Sequence, residues 1–215
     1  LLSWIMDGVL KPVEKILDKD LASHLGVSRT PVRDALRRLE DKHLVESAAN
    51  RWTRISPILP EEPHMIYPVI LCLEQLALSQ AAHGITDQDL DKMMKANAMF
   101  AKALKKKDPV TASRLDKQFH EIFIQRSGNG HLIRILEDLK IRCLRLEIHF
   151  FRETGPGNSW AHTSSVEEHQ SLVSALKTKD LDLACQVLST NWEKSLARFK
   201  IVSGITGTLK QGKPQ

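Results

Sequence analysis

The chain has 215 residues, 42% hydrophobic and 27% charged, with a net charge of +5; this is ordinary globular composition, enough for one or two domains and against wholesale disorder. No apolar run reaches the roughly 18–20 residues of a membrane span, since Val69–Leu73 is stopped by Glu74, and no secretory leader pattern is present. Three widely spaced cysteines, Cys72, Cys143 and Cys185, argue against a disulfide framework or a CxxC zinc site and point to a reducing, cytoplasmic compartment.

The sequence opens on Leu1 rather than Met, so the natural N-terminus is expected to be missing. The mildly basic balance permits a nucleic-acid partner without proving one. Residues 1–56 read as one unit of short amphipathic segments. In it Leu17, Leu21 and Leu25 fall on one face of a first helix. Gly26 suits the position after a helix end, where a left-handed backbone is cheap. Val27 is expected to pack into the turn, Ser28 or Thr30 to cap the next helix, and Pro31 to fit its first turn. Val32, Ala35, Leu36 and Leu39 then form a buried face. Two helices joined by a tight glycine turn make a helix-turn-helix. Leu44–Ser47 and Arg51–Ile55 alternate like a hairpin with Ala48-Ala49-Asn50 at its tip, which adds a wing.

The polar face carries the chemistry. Arg29, Arg33 and Arg37 lie at i, i+4 and i+8 and form one stripe. Arginine grips guanine O6 and N7 with two hydrogen bonds and also pairs well with phosphate. In this motif the start of the second helix enters the major groove. Arg29, Thr30 and Arg33 are therefore assigned to the groove, with Arg33 the base reader and Ser28 beside them at the helix mouth. Arg37 and Arg38 are left to phosphate or solvent, Lys19 to phosphate, and Arg51 to backbone or minor groove. A charge stripe alone more often marks a solvated helix face; turn, caps, stripe and wing in order favour DNA.

Residues 57–63 hold three prolines and read as a linker. From residue 64 onward the apolar period is helical. The breakers divide the stretch into helices at roughly 64–83, 87–106, 109–127, 131–153, 159–178 and 180–202. Pro68 should kink the first of these or mark its true start, and Thr86 should cap the second. The tail 203–215 is expected to be loose. The fold class is mainly α: a winged helix-turn-helix followed by an all-α antiparallel helical bundle.

Asp116 and His120 lie four apart on one helix, hence on one face, and His169 follows in Glu167-Glu168-His169. One Asp and two His converging in a bundle suit a divalent cation such as Zn²⁺, Ni²⁺ or Mn²⁺. The spacing alone is weak, and Asp20 with His24 repeats it where no metal role is assigned. Arg142 and Arg145 are candidates to grip a carboxylate effector, against the blander reading of surface cations. His149 and His162 are reserve ligands, and Trp160 and Trp192 are read as core.

Gly26-Val27-Ser28-Arg29-Thr30-Pro31-Val32-Arg33-Asp34-Ala35-Leu36-Arg37-Arg38-Leu39 resembles the signature of the GntR family of bacterial winged-helix transcription regulators. Gly8-Val9-Leu10-Lys11-Pro12 sits where that family has its helix-ending Gly and Pro. The chain departs from the family at Val13 and His43, where Gly is usual, and at the wing tip, Ala49-Asn50. Leu115-Asp116-Lys117-Gln118-Phe119-His120, Ser127-Gly128-Asn129, Glu168-His169, Asp180 and Ala184 are similar to the FadR-type C-terminal (FCD) domain of such regulators. The resemblance implies an all-α domain that senses small molecules, often through a metal. The family's first three metal ligands fall on Asp116, His120 and His169, and its fourth, a His, on Asn191, a poorer partner for Zn²⁺ than imidazole. The family's usual Arg shortly before Glu74 is replaced, by Ile70 or Leu71. Three outcomes stay open: metal held with Asn191 or water, metal held only together with an acidic effector, or a metal-free site.

The resemblance implies a homodimeric DNA-binding transcription regulator, a repressor in most of the family. Its operator affinity would answer to a small effector, a carboxylate on this reading. The alternatives are a metal-dependent enzyme acting on a small organic acid, with water activated at Asp116, His120 and His169, and a DNA-bridging protein with a vestigial sensor.

Overall fold

The computed structural model describes residues 1–48, 51–154 and 163–203. Three sequence assignments lie outside them: the wing-tip residues Ala49 and Asn50, the pair Trp160 and His162, and the tail from 204 onward.

The first unit begins with α1 (Leu2–Met6), which Gly8 ends with a φ of 69°. A two-residue strand, β1 (Lys15–Ile16), leads into α2 (Asp18–Leu25) and α3 (Arg29–Asp41). β2 (Val45–Ala48) and β3 (Trp52–Ile55) form the antiparallel wing, and β3 also pairs with β1, so the sheet order is β1-β3-β2. Gly26 takes the left-handed backbone (φ 65°), and Val27 N–H donates to the Ala22 carbonyl, closing the turn as the sequence leads one to expect.

Three details differ from the sequence reading. Leu21 is buried, but Leu17 is 63% and Leu25 39% exposed, because Leu17 is the extended residue before α2 and so lies off its helical phase. The inner face of α2 is Leu21 with Ala22 instead. Val27 is 47% exposed rather than packed into the turn. Ser28 is the N-cap of α3 but its side chain makes no capping hydrogen bond. Val32, Leu36 and Leu39 do form the buried face of α3, and they meet Ile5, Ile16, Leu44, Val45 and Ile55 in one core.

The bundle comprises α4 (Glu62–Ala81), α5 (Asp87–Lys105), α6 (Pro109–Arg126), α7 (Gly130–Thr154), α8 (Thr163–Lys177) and α9 (Leu181–Ser203). α4 starts at Glu62 with Pro63 in its first turn and runs through Pro68, so the last two residues of the expected linker are helical. Thr86 caps α5 in a reciprocal box with Asp89, satisfying two backbone donors at once. α5 packs between α6 and α8, while α4 touches α6, α7 and α9. Ile70, Leu78, Met93, Phe119, Phe123, Leu136, Leu172 and Leu188 fill the centre. α7 also reaches the first unit, where Ile141 packs on its core and Lys42 pairs with Asp138. No helix among the described residues is long and apolar enough to cross a membrane.

Candidate nucleic-acid interface and buried ligand centre

α3 turns Val32, Leu36 and Leu39 inward, so Arg29, Arg33 and Arg37 must face out. A groove of about 500 Å³ separates this stripe from the wing, and Arg29, Arg33, Arg37 and Arg51 all line it. Ser28, Thr30 and Lys19 are exposed near its α3 end. One carboxylate governs the mouth of the groove. Asp18, the first residue of α2, accepts from Arg29 Nη2 at 2.9 and 3.0 Å and from Arg33 Nε at 2.5 Å. The two guanidiniums hold its carboxyl below the usual range. Their side chains stay 54% and 64% exposed, so the pairs sit in water. The wing is braced by Arg54, which pairs with Glu46 and lies 4.4 Å over the Trp52 ring.

The second centre is largely buried, with the Asp116 side chain, 34% exposed, on its open side. Asp116, His120 and His169 come together from α6 and α8, their ligand atoms within 4.8 Å of one another. His169 Nε2 lies 3.4 Å and His120 Nε2 4.0 Å from the Asp116 carboxylate. Both imidazoles are 1% exposed, and both Nε2 atoms are buried with no hydrogen-bond partner among the described residues. Their other nitrogens are tied down. His120 Nδ1 is 2.9 Å from Glu74 Oε2, which can only accept, so Nδ1 carries a proton and Nε2 is the nitrogen turned to Asp116. His169 Nδ1 is 3.0 Å from Asn97 Oδ1, whose amide nitrogen is already donating to the Val166 carbonyl. Burial holds the His169 pKa well below the ordinary value, with His120 adding to it, so this ring is neutral.

This donor set fits a divalent cation. Tetrahedral ligands at about 2.1 Å from an ion are roughly 3.4 Å apart, close to the His169–Asp116 separation. Carboxylate and amide partners behind the ligand imidazoles are the usual outer support of metal-binding histidines. By contrast, the equally spaced Asp20 and His24 are exposed, and His24 Nδ1 bonds the Asp20 carbonyl. Asn191 is buried near the centre, with its amide nitrogen donating to Glu168 Oε2 at 2.8 Å.

The surroundings contain residues that sequence reading did not assign to the site. Glu74 is 0% exposed and pairs with Lys140, while Trp192 Nε1 donates to it at 2.8 Å. Burial pushes Glu74 up, but His120 and Lys140 outweigh it and bring it down to about 2. Burial raises Asp116, and burial together with Asp116 raises Glu147 to about 7. Arg198 on α9 donates to Ser164, Ser165 and Ser195, and its charge acts on Asp116 and Glu147. One signal was available for Glu74: it is the lone charge closing an apolar run. Trp192 is core, as expected, and also a Glu74 donor. His149 is half-buried on α7.

Arg142 and Arg145 do not join this centre. Arg142 pairs with Glu62, and Arg145 Nη2 donates to the Ser56 carbonyl at 2.6 Å. Both face the junction with the first unit, because the side of α7 carrying Lys140 and Cys143 is the one turned into the bundle.

Residues 1–55 match the family described as bacterial regulatory proteins, gntR family, and residues 65–193 match the FCD domain. The chain is 27% identical over 210 residues to the HTH-type transcriptional regulator YdhC of Bacillus subtilis (strain 168), covering 97% of this chain and 89% of that one. It is 27% identical over 191 residues to the HTH-type transcriptional regulator McbR of Escherichia coli (strain K12), covering 88% of this chain and 85% of that one. The solved structure of E. coli McbR/YncC shares the fold, with a TM-score of 0.80 at 24% identity over 96% of this chain and 94% of that one. These matches are to regulators, and the enzyme reading draws no support from them.

Proposed function

The chain belongs to the gntR family of bacterial regulatory proteins and carries an FCD domain, and from that membership we propose how this DNA-binding transcription regulator works. The groove between α3 and the wing receives an operator strand. Arg33 and Arg29 read base edges beside Ser28 and Thr30, while Lys19, Arg37 and Arg51 hold phosphate. The single observation that carries this is the arginine stripe of α3 and Arg51 of the wing lining one groove. The chain acts as a homodimeric repressor, two α3 helices meeting the half-sites of a near-palindromic operator.

Asp116, His120 and His169 would hold a divalent cation such as Zn²⁺, Ni²⁺ or Mn²⁺, and the two buried imidazole Nε2 atoms gathered beside Asp116 support this. Such an ion supplies Lewis acidity that binds carboxylate oxygens. Asn191 donates to Glu168, which leaves only its carbonyl oxygen to act as a fourth ligand. A small carboxylate effector then reaches the same centre, with Arg198 as its nearby counter-charge. It must bind the DNA-competent and released arrangements with different affinity, or it shifts nothing.

Two measurements test the reading. On an operator selected from a random duplex library, Arg33→Ala should weaken specific binding by about 1–3 kcal/mol; wild-type affinity would refute the groove assignment. Elemental analysis of the purified chain should find a divalent metal that Asp116→Ala loses. Background metal, together with an unchanged effector response in Asp116→Ala, would remove the metal from the account.

A further inference from the structure

A cavity of about 230 Å³ lies where the winged-helix unit meets the bundle, away from both sites described above. Its walls come from Leu44 and Val45 at the start of the wing, Ile58 of the linker, and Arg142, Arg145 and Leu146 of α7. Roughly seven or eight waters would fill such a space at about 30 Å³ each.

The wall charges are equal in number, Glu46 and Glu62 against Arg142 and Arg145, but they do not pair off with one another. Arg145 is 7% exposed, yet its five N–H donors have one described partner, the Ser56 carbonyl at 2.6 Å. No carboxylate among the described residues lies within ion-pair distance of it. Glu62 acts on Arg145 from farther away, but its carboxylate is engaged by Arg142. Glu46 also lines the cavity, and Arg54 takes up its charge. His43 is the remaining titratable group on the walls. One guanidinium therefore turns to the cavity with no carboxylate of its own, and its remaining N–H donors can serve an oxyanion placed there. Leu44, Ile58 and Leu146 give such an oxyanion an apolar bed.

We propose that this cavity is a second binding site, for a small organic oxyanion whose oxygens accept from Arg145 and whose short apolar body rests on Leu44, Ile58 and Leu146. The occupant touches wing, linker and α7 at once. Its affinity thus depends on how the DNA-reading unit sits on the bundle, and by linkage its binding biases that arrangement. The site stands independently of the Asp116–His120–His169 centre.

The test uses the full chain and three probes, hexanoate, butyrate and inorganic phosphate, at constant ionic strength, with melting temperature and calorimetric affinity as readouts. Saturable stabilisation that grows with concentration as mass action requires is expected in the wild type and in His120→Ala. Arg145→Gln should lose at least tenfold in affinity. Ile58→Trp, which fills the cavity and keeps every charge, should lose as much and decides the matter if Arg145→Gln fails to fold. Hexanoate binding more tightly than butyrate and than phosphate supports an oxyanion with an apolar body; phosphate binding more tightly than both carboxylates would overturn the apolar bed. The proposal is overturned if no probe stabilises the wild type, if both Arg145→Gln and Ile58→Trp bind normally, or if only His120→Ala loses binding, which would send the anion to the bundle centre.

Discussion

The two units of the molecule each hold one acid between two basic groups, and burial makes them opposites. Asp18 sits between Arg29 and Arg33, whose side chains are more than half exposed. Glu74 sits between His120 and Lys140, with all three side chains at or below 8% exposure. In water an ion pair is worth little and exchanges readily. In a dry interior each member is needed to keep the others from being stranded charges. Asp18 can therefore yield its arginines to DNA phosphate or bases, while Glu74 is scaffold that fixes the tautomer of His120.

The comparison breaks first at Glu74. Glu74→Ala should cost about 3–5 kcal/mol in urea unfolding, since it strands Lys140 and removes the partner of His120 and Trp192. A Glu74→Met, Lys140→Met double variant should recover most of that loss. If Glu74→Ala unfolds like the wild type, the buried network is not what holds this centre.

Asp18→Asn should do the reverse: leave stability almost unchanged and alter DNA binding. With both guanidiniums released, affinity for random duplex DNA at low salt should rise roughly threefold to tenfold. The slope of log affinity against log salt should steepen by about 1. Preference for the selected operator over random duplex should fall, because Asp18 no longer makes nonspecific phosphate compete for its arginines. An unchanged slope would mean that Asp18 and DNA do not share these side chains.

These two acids also mark how far the sequence could be read. Helical periodicity and breakers located the bundle helices to within a few residues, and Gly26 located the turn, because these signals are local. The grouping of Asp116, His120 and His169 came from the family resemblance, since the Asp116–His120 spacing is weak by itself and nothing local in the sequence pairs α6 with α8. Glu74, Lys140 and Arg198 were missed because only the packing of α4, α7 and α9 turns their charges inward. The surroundings of Arg142 and Arg145 were not legible for the same reason: they lie on the side of α7 turned to the junction, and helical spacing alone does not say which side of a long helix meets which neighbour. Leu17 was misjudged because helical phase was extended one residue past the start of α2.

Asp89 lies between the two extremes. Its side chain is 3% exposed, but its partner Arg126 is 42% exposed. Burial pushes the Asp89 carboxyl up, and Arg126 with the Thr86 cap outweighs burial, bringing it to about 2 from an unperturbed 3.8. A folded pKa below the unfolded one adds stability above about pH 4, and that contribution fades as pH falls towards 2. Asp89→Asn should therefore show a flatter decline of the urea midpoint between pH 4 and pH 2 than the wild type. Parallel curves would mean that the carboxylate gains nothing from Arg126 and the cap.

The smallest expected effect concerns backbone rather than charge, and again separates the two units. Lys107 and Lys179 take positive φ of 56° and 58° in the bundle, each just past a helix end and each unbranched. The DNA-reading unit puts a β-branched residue, Val13, at φ 66°, where its N–H donates to the Ile55 carbonyl as the chain enters β1. A β-branched side chain there is strained by about 1–3 kcal/mol. Glycine removes the strain but costs about 0.5–1 kcal/mol in unfolded-chain entropy. Val13→Gly should therefore stabilise the chain modestly, by up to about 2 kcal/mol, with DNA affinity unchanged. His43, at φ 56°, provides the control. It carries less strain than a β-branched residue, so His43→Gly should gain less. Because His43 lines the junction cavity, its replacement should also alter anion binding there, an effect that Val13→Gly should not share. If Val13→Gly lowers the melting temperature, the strain at residue 13 is smaller than the entropy that glycine adds.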